Sequence, residues 1–190
     1  MKIDLYKVEH QNLIHNNDGV KPYLITEARD GLLQYLDTRE SPVYVNSIFR
    51  LTSDQIKLYR AYKTGASKVQ AAKPGYSAHE GGRGIDLDCY KTKGWEKVKE
   101  DLGGYGYGSI STERWHIHYL GDYTSNEEYV INSVDETLTV EEAQEKLVQL
   151  GYDDDVQRFQ SDYGLQIDGD IGPNTCLQLI LLTKEYTFNE

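Results

Sequence analysis

A glycine-rich run between a histidine and an aspartate constrains this chain more than any other segment. Residues 77–86 read SAHEGGRGID, so His79 and Asp86 lie seven positions apart with three glycines between them. Because glycine reaches backbone conformations that other residues avoid, the run can turn sharply and bring both side chains to one point. Histidine and aspartate are good zinc ligands, and catalytic zinc usually takes three protein ligands and a water. The run therefore predicts two ligands of a metal site and leaves the third to a distant segment.

The chain has five histidines from which that third ligand could come. His10 and His15 lie in a polar N-terminal stretch and are predicted to be surface residues. His116 and His118 lie two apart in the strand-like run RWHIHYL, so both side chains project from the same face and either could reach the metal. Glu113, three residues before His116, could accept a proton from an attacking water without being a ligand itself.

Composition limits the classes of partner. Hydrophobic residues make up 38% of the chain and charged residues 27%, which is typical of a globular protein. The formal net charge of −11 argues against nucleic acid, because phosphate binding needs a basic surface. We expect no membrane insertion and no secretory signal, since no apolar run is long enough for either. Cys89 and Cys176 are predicted to be reduced structural thiols.

The pattern of apolar residues divides the chain into three parts. Residues 1–122 are predicted to form one domain, with helices over 26–40, 52–62 and 95–102 and strands over 43–45 and 114–120. Residues 123–138 are polar, acidic and without periodicity, which is typical of a linker. Residues 139–190 begin with a helix over 139–150, where Thr139 and Glu142 have capping-box spacing.

Two segments resemble the signatures of a known enzyme family. KPGYSAHEGGRGIDLD (73–88) and ERWHIHYLG (113–121) are similar to the SxHxxGxAxD and ExWH patterns of the VanY-type zinc D-alanyl-D-alanine carboxypeptidases. The wider family includes phage and bacterial L-alanyl-D-glutamate endopeptidases. The resemblance covers roughly residues 22–122. It implies an α+β fold in which helices flank a small antiparallel sheet, as in zinc D,D-peptidases and hedgehog-like domains.

The resemblance also implies roles for individual residues. It makes His79, Asp86 and His116 the ligands of a Zn²⁺ ion and Glu113 the catalytic base. Arg50 matches the arginine that steadies the substrate carbonyl and its developing oxyanion.

Three further residues are predicted to form the substrate-binding part of the site. Ser77 matches a serine that contacts substrate, and Gln55 matches a glutamine found beside the family arginine. His118 is not carried over as a ligand, because the family varies there; a substrate-facing or supporting role is the alternative to simple packing. Arg83 and Ile85 depart from the small residues usual in the family, and Asp88 is interpreted as a surface or supporting residue.

The C-terminal part resembles a second family. Residues 159–175 contain the elements FQ, GL, DG and GP-x-T in the order found in small three-helix peptidoglycan-binding domains. The loop usual before the FQ helix is short here, so the resemblance implies a shortened all-α module over 139–190.

Together these patterns predict a zinc-dependent peptidase, similar to phage endolysins, that acts on peptidoglycan stem peptides as a monomer. The L-Ala–D-Glu bond is favoured, and a D-Ala–D-Ala carboxypeptidase is the first alternative. The second alternative is a non-catalytic wall-binding protein with a structural zinc. The absence of a secretory signal predicts a protein made in the host cytoplasm and released to the wall at lysis.

Overall fold

The structure is a computed structural model that describes all 190 residues. Its seven α-helices are α1 (Thr26–Asp37), α2 (Thr52–Lys63), α3 (Trp95–Leu102), α4 (Asn126–Asn132), α5 (Val140–Gln149), α6 (Val156–Asp162) and α7 (Pro173–Leu182). Its eight strands are β1 (Lys2–Lys7), β2 (Leu13–His15), β3 (Tyr23–Leu24), β4 (Val43–Ser47), β5 (Gly84–Leu87), β6 (Tyr107–Ser109), β7 (His116–Tyr119) and β8 (Glu185–Asn189). The chain is therefore α+β, as predicted, and none of its helices has the length and hydrophobicity needed to cross a membrane.

The larger sheet has five strands in the order β2-β4-β5-β7-β6. Its strands pair antiparallel except for β2 and β4, which are parallel. The expected antiparallel sheet is thus a mixed one. The reason is that α1 lies between β2 and β4 in the chain, and a helical crossover returns the second strand in the direction of the first.

One face of this sheet carries the main hydrophobic core. Leu32 and Leu36 of α1 and Val98 and Leu102 of α3 belong to the same buried cluster as the core-facing residues of β4, β5 and β7. Successive side chains on a strand point to opposite faces. The residues that alternate with the core positions on β5 and β7 therefore face the other side of the sheet, where the candidate site lies.

The smaller sheet joins the two ends of the chain. Its order is β3-β1-β8, and β1 and β8 run parallel with Lys2 opposite Glu185 and Tyr6 opposite Asn189. The expected all-α module over residues 139–190 is accordingly not confirmed, because its last residues form a strand. That pairing connects residues more than 180 positions apart, and a local pattern in the sequence carries no information about such a partner.

The helical part of the C-terminal region has its own buried cluster. Leu147 of α5, Phe159 of α6 and Leu179 of α7 are fully buried in it, and Ile56 of α2 packs against it from the N-terminal region. The predicted capping box at Thr139 is present, with Glu142 donating its N–H to the threonine side chain. Part of the stretch interpreted as a linker is helical, since α4 occupies residues 126–132. Cys89 and Cys176 are both free.

Candidate metal centre

His79 is held by contacts on both sides of its ring. Its Nδ1 lies 2.5 Å from the carbonyl oxygen of Ile48. Because a carbonyl oxygen can only accept a hydrogen bond, Nδ1 is the donor. A Cβ added at Gly84 would lie 2.9 Å from Cγ of the His79 ring, so the imidazole rests directly against the glycine backbone. With Nδ1 donating, Nε2 of His79 is left as an acceptor that can bind a metal.

The other two predicted ligands are brought together by strand pairing. Asp86 on β5 and His116 on β7 are direct partners in the antiparallel register. Directly opposite residues project from the same face of a sheet with their Cβ atoms close together. Ile85 and Ile117, the neighbouring pair, point into the core instead.

These three side chains converge as the sequence predicts. Oδ1 of Asp86 lies 3.3 Å from Nε2 of His79 and 2.9 Å from Nδ1 of His116. One ligand atom from each residue lies within 4.8 Å of the others, so the group could hold a metal ion. Burial alone would raise the pKa of Asp86, but the two neighbouring histidines outweigh burial and hold the pKa well below its usual range. The aspartate is therefore a carboxylate, as a metal ligand must be.

His118 lies beside the three and is not part of the ligand group. Its ring centre is 5.2 Å from that of His116, and its Nδ1 is buried without a hydrogen-bond partner in the protein. Burial lowers its pKa to about 3, and the charges of His116 and Arg83 act in the same direction. The residue nevertheless contributes to the lining of the groove.

The remaining predicted residues line the same groove, which has a volume of about 400 Å³. Glu113, Arg50, Gln55 and Ser77 all contribute to its walls together with the metal-ligand group. Arg50 donates from Nη1 to Oε1 of Gln55 at 2.8 Å, and Gln55 donates in turn to the carbonyl of Ala72 at 2.8 Å. The buried glutamine thus orients the arginine. Ser77 is also buried and lies two residues before His79.

Apolar side chains form the rim of the groove. Leu58, Val69, Ile110 and Trp115 line it, and each is more than a third exposed. The sequence patterns did not single out these residues for the site. Exposed apolar side chains around a polar centre are typical of a surface that binds a ligand.

Arg83 connects three segments next to the groove. This fully buried residue donates to the carbonyl of Tyr119 at 2.8 Å and to Oδ1 of Asn126 at 2.7 Å, and its guanidinium lies 3.7 Å from the ring centre of Tyr129. Asn126 donates in turn to the carbonyl of Tyr76 at 2.6 Å. What the sequence presents as a departure from the family pattern is therefore a link between β7, α4 and the segment that precedes Ser77.

Asp88 has no part in the metal site. One of its oxygens accepts the N–H groups of Tyr90 and Lys91, and the other accepts from Asn16. It closes the turn after β5.

No family model matches the sequence, and no curated protein matches it either. Among solved structures, similarity is found to the vancomycin-resistance D,D-pentapeptidase VanY of a VanB-type cassette, in complex with Zn(II), with a TM-score of 0.41 and 19% identity over 65% of this chain and 88% of that one. Similarity is also found to the LD-carboxypeptidase LdcB, with a TM-score of 0.39 and 23% identity over 62% of this chain and 73% of that one. The chemistry of the site is therefore inferred from the residues that form it.

Proposed function

We propose that the protein is a zinc-dependent peptidase that hydrolyses a bond in peptidoglycan stem peptides. The observation that carries this proposal is the convergence of His79, Asp86 and His116 in a groove that Glu113 and Arg50 also line. The resemblance of the two surrounding segments to the signatures of zinc peptidoglycan peptidases supports the choice of substrate.

The donor set fits zinc. Two imidazole nitrogens and one carboxylate oxygen are common in catalytic zinc sites, which keep a further position for water or substrate. The bond from His79 to Ile48 supports the fit, because metal-binding histidines usually donate their other ring N–H to a carbonyl or carboxylate. Zinc bound by these residues would polarise the substrate carbonyl and lower the pKa of water towards neutrality.

The chain's own groups supply the remaining chemistry. Glu113 accepts a proton from the attacking water and returns it to the amine as the carbon–nitrogen bond breaks. Arg50, fixed by Gln55, faces the negative charge that develops on the carbonyl oxygen; one well-placed donor of this kind is worth about 2.7–4 kcal/mol. Ser77 and His118, which line the groove, hydrogen-bond the substrate in this proposal.

Within this class we favour the L-Ala–D-Glu bond over D-Ala–D-Ala. Cleavage at the start of the stem opens the mesh, whereas removal of a terminal D-Ala leaves it intact. A C-terminal region that resembles wall-binding domains suits an enzyme of the first kind. We further propose that the enzyme acts as a monomer and reaches the wall at lysis.

Mass spectrometry of digested walls tests the proposal and names the bond. Purified peptidoglycan is incubated with zinc-loaded protein, and a metal-free sample in excess chelator serves as the control. New muropeptides with N-terminal D-Glu are the expected product, and released D-Ala would replace the endopeptidase with a carboxypeptidase. Intact walls that nevertheless pellet with the zinc-loaded protein would show a binding protein with a structural metal.

A further inference from the structure

A buried carboxylate lies next to one of the candidate metal ligands in the chain. Glu80 follows the ligand His79 and is fully buried. Both of its oxygens lie 3.0 Å from the N–H of Gly75, and Oε2 also accepts the N–H of Ser77 at 3.2 Å. A buried carboxylate is tolerated only when it is paired and hydrogen-bonded. Glu80 therefore fixes the backbone of the segment 75–77, which carries a groove residue, against the segment that carries a metal ligand.

The C-terminal region supplies the other half of this arrangement. Lys184 donates to the carbonyl oxygen of Gly75 at 2.7 Å, and its ammonium charge opposes the effect of burial on the pKa of Glu80. Gln178 is buried within the apolar helix α7 and donates to the carbonyl oxygen of Pro74 at 3.0 Å. The N–H of Gly75 is thus bound by Glu80, and the carbonyl oxygens of Pro74 and Gly75 are bound by side chains from the C-terminal region.

Packing at Gly75 leaves no space between the two regions. The residue has φ +92°, and a Cβ added to it would lie 2.6 Å from Cβ of Leu181. Helix α7 therefore rests on the backbone of this turn, and a shift of α7 would move the turn with it.

We propose that Gln178 and Lys184 are positioning residues of the active site, which hold residues 74–77 so that Ser77 and His79 take their places in the groove. The C-terminal region is then a working part of the peptidase as well as a candidate wall-binding element. This inference rests on the proposed function for its kinetic consequence alone; the mechanical coupling between the two regions can be measured without any substrate.

The reason to expect a kinetic effect is the sensitivity of catalysis to placement. A displacement of about 1 Å at a catalytic centre can cost about a hundredfold in rate, even when it originates away from the reacting atoms. The bonds from Gln178 and Lys184 end on the backbone a few residues before His79. Their loss would loosen the segment without removing any group that touches the substrate or the metal.

The test uses two single variants of the full chain. Gln178→Leu removes one hydrogen bond at nearly constant volume, and Oε1 of Gln178 has no partner to lose. Lys184→Met removes the bond to Gly75 and the charge beside Glu80. The matched control is Lys146→Met, because Lys146 donates to Oγ1 of Thr183 at 2.9 Å and makes no hydrogen bond to residues 74–80.

Amide hydrogen exchange of residues 75–80 is measured first, with zinc content and melting temperature. Both variants should exchange at least about tenfold faster in this segment while they retain zinc, and Lys146→Met should match the parent chain. On peptidoglycan, kcat/KM should fall by about ten- to a hundredfold in both variants, with a larger change in KM than the control shows.

Unchanged exchange in both variants would overturn the proposal, as would equal effects in the Lys146→Met control. If Lys184→Met fails to fold, Gln178→Leu gives the same reading alone. Faster exchange in a chain whose parent form does not cut walls would support the coupling and reject the proposed function instead.

Discussion

Glu113 and His116 lie three residues apart at the start of β7, yet the structure gives them different surroundings. His116 is buried and bonded to Asp86, whereas Glu113 is partly exposed in the groove and is not one of the residues that form the ligand group. This division supports a base that is separate from the metal ligands. It also means that the two roles can be separated by substitution.

We expect Glu113→Gln to keep zinc and lose hydrolysis. The amide preserves the shape of the side chain but cannot take a proton from water, and general-base catalysis typically contributes about 10²–10⁴-fold. Turnover on purified walls and zinc content by atomic absorption are the measurements. Glu100→Gln, an exposed position on α3, is the matched control. Turnover within about threefold of the parent would remove Glu113 from the mechanism.

Substitution of the two β7 histidines should separate ligand from neighbour. His116→Ala should lose zinc, because it leaves only His79 and Asp86 as ligands. His118→Ala should retain zinc and lower kcat/KM by about tenfold, the effect of one hydrogen bond of about 1.4 kcal/mol. Zinc titration with a chromogenic chelator distinguishes the two. Loss of zinc in the second variant with retention in the first would reverse the assignment.

Among the helices and strands, the sequence predicts those in which the apolar residues recur at the period of the element itself. Leu32 and Leu36 on α1 and Val98 and Leu102 on α3 give an apolar stripe in the sequence and are buried in the structure. The short strands β2 and β5 were not predicted, because three or four residues carry too little periodicity. Helix α4 lies in the stretch predicted to be a linker, and Ser125 caps it by accepting the N–H of Glu128.

The candidate site divides along the same line. The convergence of His79 and Asp86 could be predicted from their residue types and spacing, whereas the choice of His116 over His118 came from the resemblance to the zinc peptidase family. Glu80 and Gln178 could not be predicted, since a glutamate after a histidine or a glutamine within an apolar helix has no fixed meaning until its burial is known. The role of Gln178 depends on its contact with Pro74, which joins positions 104 residues apart.

The turn before β5 depends on one glycine in particular. Gly82 has φ +65°, and a Cβ there would overlap Cδ2 of the fully buried Leu5. Gly82→Ala should therefore lower the free energy of unfolding by at least about 1–3 kcal/mol, the usual size of backbone strain, and displace His79 nearby. Chemical denaturation and zinc affinity measure the two effects.

Gly103→Ala is the control for this prediction. Gly103 has φ −55° and ψ −35°, and a Cβ added there would meet no atom within 4 Å outside its own helix backbone and its two chain neighbours. Alanine should therefore be neutral or stabilising by about 0.4–1 kcal/mol. Equal stability of the two variants would show that the turn can relax around a side chain at position 82.

In the whole molecule, the pairing of the two ends of the chain connects the N-terminal and C-terminal regions. Strand β8 pairs with β1 over five residues, and Tyr186 of β8 shares a hydrogen bond of 2.8 Å with Thr52 at the start of α2. The side chains of Gln178 and Lys184 add bonds to the turn before Ser77. Because these contacts join the two regions at several points, we expect the N-terminal and C-terminal regions to unfold together.

The two tryptophans make this expectation testable. Trp95 and Trp115 both lie in the N-terminal region, so their fluorescence reports on that region alone.

Leu147→Ala, in the buried cluster of the C-terminal helices, should lower the free energy of unfolding by about 2–5 kcal/mol. A chain of this size loses about 2–4 °C in melting temperature per kcal/mol, and the loss should be equal by tryptophan fluorescence and by far-UV circular dichroism. Val148→Ala, at an exposed position on the same helix, should shift neither signal. If Leu147→Ala lowers the dichroism midpoint and leaves the fluorescence midpoint in place, the two regions unfold independently, and the contacts of β8, Gln178 and Lys184 do not couple them.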